Sequence, residues 1–521
     1  MITGSRKTLV SWIPSGRARA RPARDDELRT EAERANEEHE MTVMATTTSG
    51  TIRGAEVDGI KVFKGVPYAA PPVGARRFRP PARLQPWDGV REALEFSPIC
   101  PQPRSSIARV EEPQSEDCLH LHVWTPGIDD AARPVMVWFH GGGFQLGSGS
   151  EPTYHGENLA RRGDVVVVTV NHRLGPLGYL HLGEILGEEF AASGNNGMLD
   201  LVQSLEWVRD NAANFGGDPD NVTIFGESGG GMKVSLLHVM PRARGLFHRA
   251  IVQSGAGSTV KPVAAGTQGA RKLLDALGMS DEDARTKLWE LPVETIVNTE
   301  VMEDALGWSP VLDGTVVAAH PRDALADGTA IDVPMIIGSN ADEYFGADIE
   351  DDEGALRTAL ARYGEEHVDA IIKAYRTTSP EMSPKYLARR AGTDSTVGKS
   401  TIAMLEHKAK GTSAPVWTYL FTFELGGRAG HGYELPFVFN NLAAMFQPTE
   451  SRQKLADEMS DAWIALAHNG DPNHPGLPEW PSYDPPRRST MTFNRGACEV
   501  IDDPWPEARE LWYGLTSPGI F

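Results

Sequence analysis

In the stretch NVTIFGESGGGMKV, residues 221–234, a run of strand formers (Val222, Thr223, Ile224, Phe225) stops at Ser228, which is fenced by Gly226 and Gly230. A side chain on so tight a strand-to-helix turn projects from the sheet edge, and neighbours without Cβ atoms relieve the crowded backbone there. Such a serine is a candidate nucleophile. With 53 glycines in the chain, G-x-S-x-G alone is weak evidence; its position between a strand and a helix gives it weight. A second segment, HGGGF at residues 140–144, directly follows the apolar run RPVMVWF. Attack on a carbonyl builds negative charge on its oxygen, and unobstructed backbone amides can meet that charge, each donor lowering the barrier by about 2.7–4 kcal/mol. Gly142, Gly143 and Gly229 are the candidate donors of such an oxyanion hole. A dinucleotide-binding loop is the competing reading, but a G-x-G-x-x-G pattern counted from Gly141 needs glycine at 146, where Leu146 stands.

A serine hydroxyl needs a base, and the base needs an orienting carboxylate. GSNADEYF offers Asp342 and Glu343 side by side at a strand end, and spacing alone does not choose between them. The chain has 15 histidines; His431, in AGHGYELPF, follows a strand on a glycine-rich loop, whereas His468 and His474 lie in a polar C-terminal stretch. No H-E-x-x-H and no Cys/His cluster suggests a metal, and none of these motifs asks for an organic cofactor.

The elements that must position these residues alternate. RPVMVWF, the almost wholly apolar DVVVVTVN, VTIF, RAIVQSG, VPMIIGSN and PVWTYLFTFE read as strands buried on both faces, separated by helical segments. Residues 196–215 carry Leu201, Leu205 and Val208 at helical spacing, 264–306 are rich in helix, and a last helix covers 451–468. The pattern predicts an α/β fold with a mostly parallel central sheet and helices on both faces.

At 521 residues and 40% hydrophobic, the chain can bury a large core, and residues 45–521 read as one domain. The net charge of −21 argues against nucleic acid and membrane surfaces as partners and for a small-molecule substrate. No stretch approaches the roughly 18 apolar residues of a membrane span. Residues 1–44 begin basic (Arg6, Lys7, Arg17, Arg19) and turn acidic without the apolar core of a secretory signal, so they read as a disordered or non-native tail and the protein as cytoplasmic. Three cysteines are too few for a disulfide scaffold.

Nine segments in order, among them FKGVPYAAPPVGARRFRPP, EDCLHLHVWTP, HGGGF, VNHRLGPLGYL, FGGDPDNVTIFGESGGG and GHGYELPFVF, resemble type-B carboxylesterases of the α/β-hydrolase fold, the family of cholinesterases and bacterial para-nitrobenzyl esterases. The likeness covers roughly residues 50–513 and implies large helical insertions around the sheet. It implies a serine esterase with a catalytic triad of Ser228, Glu343 and His431, supported by Glu227 beside the nucleophile and by Ser254 bonded to the acid. Each of those two also reads as a satisfied buried polar group. It further implies a disulfide between Cys100 and Cys118, although a reducing compartment would leave thiols. Departures from the family pattern are His120, His122, His172, Lys233, Tyr344 after the acid, and Gly229, whose missing Cβ is expected to loosen the turn. Residues 101–117 contain no aromatic, unlike the cation-gripping loop of choline-hydrolysing relatives, so choline esters are poor substrates. An amidase or thioesterase on the same triad, and a non-catalytic neuroligin-like protein, are the alternatives. The expected assembly is a monomer or small homo-oligomer.

Overall fold

The computed structural model describes residues 41–103, 112–257, 260–299, 307–343 and 348–515. The strands are β1 (Met41–Thr47), β2 (Gly50–Val57), β3 (Ile60–Pro67), β4 (Val90–Glu92), β5 (His120–Thr125), β6 (Arg133–Phe139), β7 (Val166–Val170), β8 (Gly217–Glu227), β9 (Arg249–Gln253), β10 (Lys261–Pro262), β11 (Val311–Leu312), β12 (Met335–Asn340), β13 (Val416–Phe421), β14 (Ser489–Phe493) and β15 (Glu499–Asp502). The helices that matter below are α1 (Asn196–Asn211), α2 (Gly229–Leu237), α3 (Val263–Ala276), α4 (Glu353–Leu360), α5 (Val368–Thr378), α6 (Pro384–Thr393), α7 (Lys399–Gly411), α8 (Glu450–Asn469) and α9 (Pro506–Gly514). Met41, Thr42, Val43 and Met44, grouped with the tail in the sequence reading, belong to the first strand.

Among the described residues, thirteen strands form one sheet in the order β1-β2-β3-β5-β7-β6-β8-β9-β12-β13-β14-β15, with β4 beside β2. From β7 through β14 every pairing is parallel, and antiparallel strands close both edges. The parallel centre is where the sequence runs apolar without alternation, because both faces are covered. In β6, Val135, Val137 and Phe139 join one core, with Leu201 and Leu205 of α1 and Val234 and Leu236 of α2. Met136 and Trp138 join the opposite core, with Leu455 and Trp463 of α8. The period of two thus distributes one apolar run between two layers of helix. A third, smaller core ties α4, α5, α6 and α9 together through Leu356, Ile371, Leu387 and Trp512.

The chain leaves β6 for β7 on one side and places β8 on the other, so strand order reverses between β6 and β8. Such a reversal opens a crevice at the carboxyl ends of the strands, the common ligand position in open α/β sheets.

Candidate active site

That crevice holds the sequence candidates. HGGGF follows β6, Ser228 follows β8, Ser254 follows β9, Asp342 and Glu343 follow β12, and His431 lies beyond β13. Residues far apart in the chain therefore meet at one end of neighbouring parallel strands.

Ser228 joins β8 to α2 with φ 55° and ψ −123°, a conformation costing on the order of 1–3 kcal/mol for a non-glycine residue. Its amide donates to Gln253 O at 2.8 Å, and its carbonyl accepts from Met232 N at 3.0 Å, so the turn is fixed to β9 and to the helix at once. The flanking glycines are sterically required: a Cβ on Gly230 would overlap the Phe139 carbonyl, and one on Gly226 would meet the Gly230 backbone. Gly142 and Gly143 take φ values of 82° and 62°, open to glycine at little cost. Gln145 N and Leu146 N both donate to Gly142 O, at 3.2 and 3.0 Å, closing the loop into a tight turn. At Gly229 the missing Cβ leaves no gap. The N, Cα and O of Gly143 occupy the space a Cβ would take, so the two backbones pack directly together.

The two adjacent acids divide their tasks. Glu343 Oε2 accepts from His431 Nδ1 at 2.5 Å, while Oε1 accepts from the Asn340 amide at 2.6 Å and from the Ser254 hydroxyl. Asp342 turns the other way: its Oδ2 accepts from Ala429 N at 2.8 Å, its own amide donates to Ala429 O, and it forms a parallel bridge with Gly430. Asp342 thus clamps the loop that carries the imidazole, and Glu343 orients the ring. Tyr344 lies outside the described residues.

On the ring's other side, His431 Nε2 lies 3.2 Å from Glu227 Oε1. That oxygen has no aligned hydrogen-bond donor, so this is a charge contact rather than a hydrogen bond. Burial disfavours a charged ring here, but the carboxylates of Glu227 and Glu343 outweigh it and hold the His431 pKa well above its ordinary value. Glu227 is itself pushed up, first by burial and then by the neighbouring Glu434, Glu343 and Glu151 charges, with His431 opposing. An imidazole so placed stabilises the positive charge that arises when it takes a proton.

Sequence reasoning missed Glu434, three residues after His431 and wholly buried. It accepts from Asn340 Nδ2 at 2.6 Å and from Gln253 Nε2 at 3.0 Å, binding the loop after β13 to the ends of β12 and β9. Its position within GHGYELPF was the available signal. The disulfide that the resemblance implies is absent, and Cys100 and Cys118 are free, buried thiols. Leu174 N donates to Cys100 Sγ at 3.2 Å, and a hydrogen bond from Cys118 to Cys100, added to burial, raises the Cys118 pKa well above its ordinary value and keeps it protonated.

A family model described as "Carboxylesterase family" matches residues 41–512. The chain belongs to the carboxylesterase family and is a serine-dependent carboxylic ester hydrolase of the α/β-hydrolase fold. It is 37% identical over 493 residues to the para-nitrobenzyl esterase of Bacillus subtilis (strain 168), covering 90% of this chain and 98% of that protein. It is 34% identical to the phenmedipham hydrolase of Pseudarthrobacter oxydans, covering 88% and 97%. A solved carboxylesterase of Geobacillus stearothermophilus matches with TM-score 0.76 at 37% identity, covering 90% of this chain and 99% of that one. These likenesses lend no support to the amidase, thioesterase or non-catalytic readings. Its substrates are small-molecule esters, and among the described residues no helix is long and apolar enough to cross a membrane.

Proposed function

We propose that Ser228, His431 and Glu343 are the catalytic triad and that ester cleavage proceeds by two acyl transfers. His431 takes the Ser228 proton as the oxygen attacks the ester carbonyl, and Glu343 orients the ring and stabilises the imidazolium. The amides of Gly142, Gly143 and Gly229 receive the oxyanion. The proton passes from His431 to the leaving alkoxide; water, activated by the same imidazole, then displaces the acid and restores the serine. Glu227 favours the charged ring, and Ser254 holds the carboxylate that faces it. The observation that carries this reading is the bond of Glu343 to His431 Nδ1 beside the strained Ser228 turn.

Neutral aryl and alkyl esters fit best as substrates, supported by the para-nitrobenzyl esterase relative and by a segment at 101–117 without an aromatic to grip a quaternary ammonium. Of that segment, residues 104–111 lie outside the described part. Unpaired buried thiols fit a reducing compartment, the cytoplasm. We further read residues 41–521 as one hydrolase domain after a tail of no catalytic role, acting as a monomer or small homo-oligomer and needing no cofactor.

Ser228→Ala is expected to lower kcat on a p-nitrophenyl ester by at least about 10⁴-fold while circular dichroism stays native. A fluorophosphonate probe is expected to label Ser228 alone, read by peptide mapping. Label on another residue, or substantial turnover by the alanine variant, would refute the assignment.

A further inference from the structure

Lys233 is a lysine in the interior, five positions after Ser228 on α2, with no exposed surface. Its Nζ donates to the His140 carbonyl at 2.9 Å and lies 5.7 Å from the centroid of the Phe144 ring. Those two residues are the first and last of HGGGF. One lysine Nζ therefore contacts both ends of the loop whose middle residues are Gly142 and Gly143. The helix bearing it begins at Gly229, the third proposed oxyanion donor, so its side chain ties the two halves of that cradle to one rigid element.

From this we propose that Lys233 is a positioning residue, fixing the amides of Gly142 and Gly143 against Gly229 so that all three point at the developing oxyanion. The inference rests on the catalytic reading given above. The neighbourhood supports it on every side. A Cβ on Gly230 would come within 3.1 Å of the His140 carbonyl, so α2 already presses against the start of the loop. The His140 and His172 rings, from the loops after β6 and β7, stack at 4.9 Å beside the ammonium. Burial, then the lysine charge, keeps both rings neutral. Glu227 is the carboxylate whose charge favours the ammonium, and it partly offsets the burial that lowers the amine pKa to about 7. A buried lysine N–H donating to a loop carbonyl holds the peptide's orientation in either protonation state, more firmly when the amine is charged, and small displacements of catalytic groups cost rate steeply.

The test compares wild type, Lys233→Met and Ser228→Ala on one p-nitrophenyl ester, with active sites counted by fluorophosphonate titration. Methionine fills the lysine's space and cannot donate. Lys233→Met is expected to lose about 10- to 100-fold in kcat with KM within about twofold. Its affinity for an alkyl trifluoromethyl ketone, which forms an oxyanion adduct, is expected to fall by the factor lost in kcat/KM. Lys233→Gln, which keeps an N–H donor on a shorter arm, is expected to recover part of both, and it carries the comparison should the methionine variant not fold. Wild-type kcat per titrated site in Lys233→Met, or a loss confined to KM, would overturn the inference while an inactive Ser228→Ala leaves the nucleophile reading standing. Turnover by Ser228→Ala would remove the reading beneath it.

Discussion

His431 lies between two carboxylates with different consequences. Glu343 meets Nδ1 in a hydrogen bond, whereas Glu227 meets Nε2 only as a charge 3.2 Å away. The proposed base His431 must be neutral to accept a proton, so kcat/KM is expected to rise as pH climbs through its pKa. Glu227 favours the charged form and moves that rise to higher pH. In Glu227→Gln the acid limb of the pH–kcat/KM profile is therefore expected to shift to lower pH; an unmoved or upward-moved limb would contradict the charge contact. The same scale sets the limit of sequence reading. Ser228 and the glycine loop were legible because their chemistry requires a local pattern. Asp342 and Glu343 were not separable from spacing, since both follow the same strand. What separates them lies 87 or 88 positions on in the chain: Asp342 bonds Ala429 and bridges Gly430, while Glu343 reaches the His431 ring. Glu434 and the grip of Lys233 went unread for the same reason: each acts on segments remote in sequence.

At the level of elements, the loops at the strand ends hold their shape through buried polar contacts. Arg173, after β7, sends Nε and Nη2 to both oxygens of Asp200 on α1 at 2.8 and 2.6 Å, and its own amide bonds the same carboxylate. Both side chains are almost wholly buried. Asp200→Ala is expected to destabilise the fold by about 3–5 kcal/mol, because it leaves a guanidinium buried without its counter-charge; a urea unfolding midpoint measures this, and a change below about 1 kcal/mol would mean that water enters to solvate Arg173. Apolar strands such as RPVMVWF and the long helix α1 announced themselves through composition and period. Elements with little burial did not. β15 exposes or half-exposes every residue and so shows no alternation, and the core signal of α9 rests on Ala508 and Trp512 alone. The disulfide suggested by likeness depended on two sulfurs that engage hydrogen bonds instead.

Across the whole molecule, stability is unevenly spread. The sheet separates two large cores, while α4, α5, α6 and α9 enclose a third that packs mainly helix on helix. Segments outside the main cores open at lower free energy than central strands. Amide hydrogen exchange is therefore expected to be faster in α4 and α5 than in β6, β8 and β12; equal protection would show that the helical region unfolds only with the sheet. The strands of the site are adjacent in space but spread along the chain, with the proposed nucleophile Ser228, the proposed acid Glu343 and the imidazole of His431 entering in that order. During translation, then, a ribosome that has delivered the first two groups has made no hydrolase. On the proposed roles, activity awaits His431, 88 residues after Glu343, so a polypeptide that has not yet emerged past that histidine stays chemically silent toward esters.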